Sequence, residues 1–216
     1  MKLHMKWPSK KLLPLLLLLP LLGLTGCAMF EWAVAAMAPP EEAKATFDLP
    51  KDKRILVFPD DQSAPLPYPP FKRMLANKIN AELMDHKLAS ETIPYDRIVD
   101  LQAGNSDFDR LPVDETGSKL GADLVIFMQM GEFRLKDNAD DPLWHGRATA
   151  FIRVVDVHTG QRLWPALPQE GFALSVETDA SDNSDASYGA QLTEQMATSM
   201  GDQIAKLFYK HTVEKK

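Results

Sequence analysis

Five histidines and a single cysteine are the residues of this chain with the widest chemical range, and their neighbours decide how much of that range is open to them. His145 stands beside Trp144, shortly after the acidic run Asp137-Asn138-Ala139-Asp140-Asp141. An imidazole within reach of carboxylates could work as an acid or base, or ligate a metal ion. The plainer account is a solvated hairpin loop with a histidine at the edge of a strand. A second acidic stretch, Glu177, Asp179, Asp182, Asn183 and Asp185, offers the oxygen ligands that Ca²⁺ takes. It lacks the turn glycine of an EF-hand loop, and Asp182, Ser184, Asp185 and Ser187 equally suit the cap of a following helix. His86 and His211 fall near helix ends and His158 in a turn. Neither Gly-x-Ser-x-Gly, His-Glu-x-x-His, a Walker loop nor Gly-x-Gly-x-x-Gly occurs. The expectation is therefore a non-enzymatic protein with no metal and no cofactor. The alternative is an envelope hydrolase or metal-dependent enzyme centred on His145 and the acidic loops.

The cysteine has a different setting. Met1 to Lys11 carries Lys2, Lys6, Lys10 and Lys11 and no acid; Leu12 to Leu24 is apolar and almost all leucine. A positive start, a short apolar core and small residues before a cut are the layout of a secretory signal. A membrane span needs about 20 apolar residues, and Pro14 and Pro20 would interrupt its helical bonding. Leu24-Thr25-Gly26-Cys27 resembles, at every position, the lipobox of bacterial lipoproteins. That resemblance implies cleavage before Cys27 and lipid on its thiol. Each buried methylene contributes about 0.8 kcal/mol, so several acyl chains together hold firmly. It also implies sorting to the outer membrane, facing the periplasm, because Ala28 rather than Asp follows the cysteine. His4 leaves with the leader, and no second cysteine remains for a disulfide.

Removing residues 1–26 takes four lysines and no acid, so the formal charge of −6 becomes −10. A nucleic-acid partner needs a basic footprint, and anionic lipid needs lysine and arginine clusters; neither fits. Residues 27–50 read as the lipidated cysteine and a tether, with an apolar stretch Met29–Met37 and then Pro39-Pro40. Residues 51–216 read as one domain with a substantial core.

The elements follow from periodicity. Arg54 to Phe58 is an apolar run closed by Pro59, the mark of a buried strand. Phe71, Leu75, Ile79 and Leu83 recur every four residues, predicting a helix over 71–86 that covers it. The loop before it, Pro65-Leu66-Pro67-Tyr68-Pro69-Pro70, reads as a rigid connector. A weaker strand, broken by Pro94, is expected over Ile93 to Val99, and a short helix over Val113 to Leu120, stopped by Gly121. Leu124 to Met128 is a second buried run. Residues 144–157 alternate, with Ala148, Ala150, Ile152 and Val154 on one face, and Gly171 to Thr178 alternates again, an antiparallel meander. Leu192, Met196, Met200 and Ile204 mark a closing helix. Trp144, Trp164 and Tyr188 are expected to pack in the core. The whole reads as an α/β sandwich of two or three layers, with a mixed sheet of about five or six strands and about three helices.

Three segments carry a further likeness. Arg54-Ile55-Leu56-Val57-Phe58-Pro59, Leu120-Gly121-Ala122-Asp123-Leu124-Val125-Ile126 and Ile152-Arg153-Val154-Val155-Asp156-Val157-His158-Thr159-Gly160-Gln161 resemble an opening strand, a helix-to-strand joint and a hairpin. All three belong to a periplasmic group: the curli-secretion channel lipoprotein, the lipoprotein activator of a peptidoglycan synthase, and the amino-terminal domain of TolB. The motifs are architectural, since glycine lets a helix stop tightly and Thr-Gly closes a hairpin. The resemblance thus implies a fold and a compartment, and no activity. The expected role is protein–protein contact in envelope assembly or secretion, with an unidentified envelope partner and an oligomer possible.

Overall fold

Where the described strands are continuously apolar, the chain is covered on both sides. The computed structural model describes residues 42–213; Cys27, the leader and most of the expected tether lie outside the described residues. In the compact unit Ala43–His211, β1 (Arg54–Asp60) pairs in parallel with β2 (Glu91–Ile93) on one side and β3 (Leu124–Arg134) on the other. A parallel strand between two neighbours shows no solvent face, and Ile55 to Phe58 are all buried. β4 (Arg147–Asp156) runs antiparallel to β3. Its other edge is shared by β5 (Arg162–Trp164) and β6 (Phe172–Glu177), completing a six-stranded mixed sheet.

One sheet face is built from Ile55, Val57, Leu124, Ile126, Met128, Ala150, Ile152 and Val154, which the register aligns in rows. Two helices cover it. α1 (Pro70–Asp85) buries Phe71, Leu75, Ile79 and Leu83, the stripe its four-residue spacing dictates. The C-terminal helix of the unit, Tyr188–Lys206, buries Leu192, Met196, Met200 and Ile204. Lys78 joins the two helices, its Nζ 2.7 Å from both Glu82 and Asp202. Tyr209 donates to Glu82 at 3.2 Å; burial, with that carboxylate, pushes the phenol up to about 12.

The opposite face is covered over its parallel half alone. There α2 (Asp96–Gly104), the 3₁₀ turn Phe108–Arg110 and α3 (Val113–Leu120) lie over Leu56, Phe58, Val125 and Phe127. Across the antiparallel half, Thr149, Phe151, Arg153 and Val155 remain half-buried and Ala173 and Ser175 exposed. The sandwich therefore has three layers over its parallel strands and two over its antiparallel ones. The helix Tyr188–Lys206 is α4, one more helix than the sequence promised. The extra is α2: the strand expected over 93–99 stops at Ile93, because Pro94 has no N–H to donate to a ladder, and the chain turns helical at Asp96 with Ile98 buried.

Both specific joints have physical causes. Gly121, at φ 77°, takes the left-handed position that ends α3. Two residues on, the Asp123 carboxylate accepts the Arg54 N–H at 2.8 Å, and that bond holds it below the usual carboxylate range. In the hairpin, the Asp156 carboxylate accepts both the N–H and the hydroxyl of Thr159 at 2.9 Å, and Gly160 has φ 67°. The connector before α1 is also pinned, with Leu66 buried and its N–H on Asp61 at 3.1 Å. Residues 46–49, expected within the tether, pack on the unit instead. The N–H of Thr46 reaches the carbonyl of Leu207 at 2.7 Å, Phe47 stacks on Trp164 and Leu49 is buried, because an aromatic and a leucine gain most by leaving water.

Candidate functional site

The side chains with the widest chemistry gather where β3, β4 and β6 end. A bulge sets this up. Met130 faces Ala150, but Phe133 faces Ala148, so β3 carries one residue more than its partner between them. Gly131 sits in the bulge, where a Cβ would stand 2.5 Å from the Thr149 hydroxyl, and that hydroxyl accepts the Glu132 N–H at 2.8 Å. The extra residue reverses which side chains face the helices. Phe133 turns inward against Phe71, and Arg134 comes out on the open face directly across from Arg147, which lies across from Glu177.

Two arginines opposite each other repel, and three carboxylates answer them. Arg134 lies 3.1 Å from Glu132 and 3.0 Å from Asp137; Arg147 is bound to Glu177 at 2.7 Å. His145, its side chain 23% exposed, sits between the acids, with Nδ1 2.8 Å from Asp137 and Nε2 2.9 Å from Glu177. The bond to Asp137, with both negative charges nearby, raises the imidazole above its ordinary value. In return, the bond to His145 lowers Asp137, and the bond to Arg147, with His145 beside it, lowers Glu177.

This arrangement favours the imidazolium. A general base needs a ring nitrogen free to take a proton, and a metal ligand needs a free lone pair. Here both nitrogens face carboxylate oxygens, at 2.8 and 2.9 Å, so the protonated ring ties β6 to the loop after β3.

The structure thus joins His145 to Asp137, and adds Glu177 from the second acidic stretch, two segments the sequence left separate. Asp140 and Asp141 do not reach the imidazole; the Asp141 carboxylate accepts the Leu143 N–H and its carbonyl binds Lys136. Two further members of the second stretch serve local turns. Asp185 accepts the N–H and hydroxyl of Ser187 at 2.7 and 2.8 Å, and Asn183 accepts the Asp185 N–H. Among the described residues, His, Cys, Asp and Glu nowhere gather in a group of three suited to a metal ion. Arg134, Arg147 and Glu132 were missed from the sequence; Gly131 inside an apolar strand was the available signal, since a lone strand glycine marks a bulge.

Trp144 donates its indole N–H to the carbonyl of Asn183 at 2.9 Å, meets Tyr188 edge-on and lies under the Lys136 ammonium at 4.7 Å. Trp164 packs among Phe47, Phe172 and Phe208. Both indoles are structural. The carboxyl ends of parallel strands, where α/β sheets often hold ligands, are closed here. Lys72 binds Asp61 at 2.5 Å, burial pushes the Asp60 carboxyl up, and the space between them and Phe108 is about 30 Å³, room for about one water. Among the described residues no helix is long and apolar enough to cross a membrane.

No family model and no curated protein matches this chain. Its backbone is similar to several solved structures. A lipoprotein of Neisseria meningitidis is 19% identical with a TM-score of 0.42, covering 72% of this chain and 99% of its own. PelC of Paraburkholderia phytofirmans, crystallised as a dodecamer, is 13% identical with a TM-score of 0.42, covering 79% and 99%. A protein of Xanthomonas campestris is 9% identical with a TM-score of 0.44, covering 78% and 88%. Likenesses at this level transfer no side-chain role, and the function has to be argued from this chain's own residues.

Proposed function

We propose that this chain is a lipid-anchored, non-enzymatic protein of the bacterial cell envelope that acts by contact with other proteins in assembly or secretion. The observation that carries it is Leu24-Thr25-Gly26-Cys27 at the end of a basic-then-apolar leader, with the chain's single cysteine at the position that takes lipid. Anchored through that thiol, with Ala28 following, the folded unit faces the periplasm from the outer membrane. The likeness of its joint and hairpin to the curli-secretion, synthase-activator and TolB group supports the same compartment. The contact role is supported by the bonding at His145, whose two nitrogens are both held by carboxylates, and by the sheet face and edge that the helices leave open.

The test pairs two substitutions in the full chain. Cys27→Ser moves the protein from the membrane pellet to the soluble fraction with its melting temperature unchanged. His145→Ala leaves the cellular phenotype of the gene intact. Retention of Cys27→Ser in the pellet after a salt wash removes the anchor. Loss of the phenotype in His145→Ala at unchanged melting temperature replaces the contact role with the hydrolase or metal-enzyme reading centred on that histidine.

A further inference from the structure

Among the described residues, β6 is an edge strand of the sheet. Thr178 donates its N–H to the carbonyl of Gly146 at 3.0 Å. Main-chain bonding alternates along an antiparallel pair, so Val176, Leu174 and Phe172 direct their groups at β4, and Ala173, Ser175 and Glu177 direct theirs outward. Among the described residues no strand pairs with that outer side.

The outer side forms one wall of a cleft of about 510 Å³. The cleft is lined by Phe172 to Ser175 of β6, by Ala43, Lys44 and Thr46, and by Gln203, Lys206 and Leu207 at the end of α4. The charged and titratable groups lining it are Lys44, Lys206 and His211, with no carboxylate among them. Neither lysine has an ion partner among the described residues, in a chain whose formal charge is −6. Unpaired edge groups are usually blunted by proline, by charge on the strand, or by a covering element. The residues of β6 that turn outward within the cleft are Ala173 and Ser175, small and neutral.

We propose that this cleft receives an extended acidic segment of a partner protein as a seventh strand on β6. This deepens the contact role proposed above and rests on it. Main-chain bonds to Ala173 and Ser175 would supply affinity, as in other strand additions, and Lys44 and Lys206 would select carboxylate side chains. The occupant is a partner segment rather than a second copy by charge. β6 of another copy would set the small, neutral Ala173 and Ser175 against Lys44 and Lys206, whereas a segment bearing carboxylates answers both lysines.

The experiment uses the full chain in detergent micelles and a fluorescein-labelled peptide of alternating glutamate and valine, seven residues long, followed by anisotropy at low ionic strength. The glutamate peptide binds saturably and its lysine counterpart does not. Lys206→Glu weakens binding about tenfold, the effect of about 1.4 kcal/mol. Ser175→Pro, which removes one outward N–H at an edge where proline is tolerated, abolishes it. Methylation of alternate peptide nitrogens abolishes it as well, independently of how any variant folds. The proposal falls if the glutamate peptide does not bind, or binds equally when N-methylated. It also falls if the unmodified chain is a dimer that Ser175→Pro dissociates, which would make the occupant a second copy. Failure here while Cys27→Ser still releases the protein discards the cleft and leaves the anchored contact role standing.

Discussion

The two halves of the sheet are finished by opposite means. Around β1 and the start of β3, helices cover both faces, and Ile55, Val57, Leu124 and Ile126 are wholly buried. Around β4 and β6 one face is dry, while the other ends in a rim of Glu132, Arg134, Asp137, His145, Arg147 and Glu177. The parallel half is held by area removed from water, which carries no titrating group and is not screened by salt as ion pairs are. The rim is held by exposed ion pairs, each of which contributes little. The unit therefore has a firm side and an adjustable side, and the open edge lies on the adjustable one.

The sharpest test of that contrast is to cut into the firm side. Ile126→Ala removes a side chain with no solvent exposure at the centre of β3 and is expected to cost about 2–5 kcal/mol, a large share of a typical total of about 5–15 kcal/mol. Urea denaturation measures it; a loss under about 1 kcal/mol would mean that the parallel half is not the stable one.

Overfilling the same half should hurt nearly as much. In α3, a Cβ on Gly117 would stand 2.7 Å from a methyl of Val125 and 2.7 Å from one of Val157. Both neighbours are β-branched and cannot swing aside, so Gly117→Ala is expected to destabilise by about 1–3 kcal/mol. A melting temperature equal to that of the unaltered chain would show that α3 can lift away from the sheet.

A third substitution asks where the unit begins. Phe47→Ala removes the ring stacked on Trp164 at 6.0 Å, for an expected loss of about 1 kcal/mol. Equal stability of the two proteins would return residues 46–49 to the tether.

The adjustable side should answer to pH. The folded His145 titrates above its ordinary 6.5, so its contribution is complete below 6.5 and is lost as pH rises through the raised value. NMR titration of the ring should give a midpoint above 6.5, and Asp137→Asn should lower it. A midpoint at or below 6.5 in the unaltered chain would remove the tie between β6 and the loop after β3.

Much of the fold was legible because burial leaves a periodic trace. Phe71, Leu75, Ile79 and Leu83 could face one surface of a helix and nothing else, and the alternation of Ala148 to Val154 could only be a strand with one wet face. Pro94 was visible too. It reads as a break within a weak strand, whereas in the folded chain the strand ends before Pro94 and Ile98 packs from a helix.

The candidate site was legible in its members and illegible in its geometry. His145 and Asp137 are close in sequence, but Glu177 is thirty-two residues from His145 and enters through the register of β6 on β4. Arg134 enters through a single bulge residue. Periodicity tells which residues face together within one element and carries no information about which ends of different elements meet.

What the sequence supplied alone is the motif behind the proposed anchor and the layers: a basic-then-apolar start that reads as a leader before Cys27, an acidic balance after it, apolar runs for the parallel strands and four-residue stripes for the covering helices. Those properties follow from local composition and spacing, which need no tertiary contact to be read. What the tertiary structure decided is how the chemistry is disposed. It set both nitrogens of His145 against carboxylates, folded residues 46–49 into the unit and, among the described residues, left the outer side of β6 without a paired strand and two lysines beside it without an ion partner. Each of these depends on where distant segments cross. A hydrogen bond or an ion pair takes its meaning from distance and partner, and the chain fixes those only by folding.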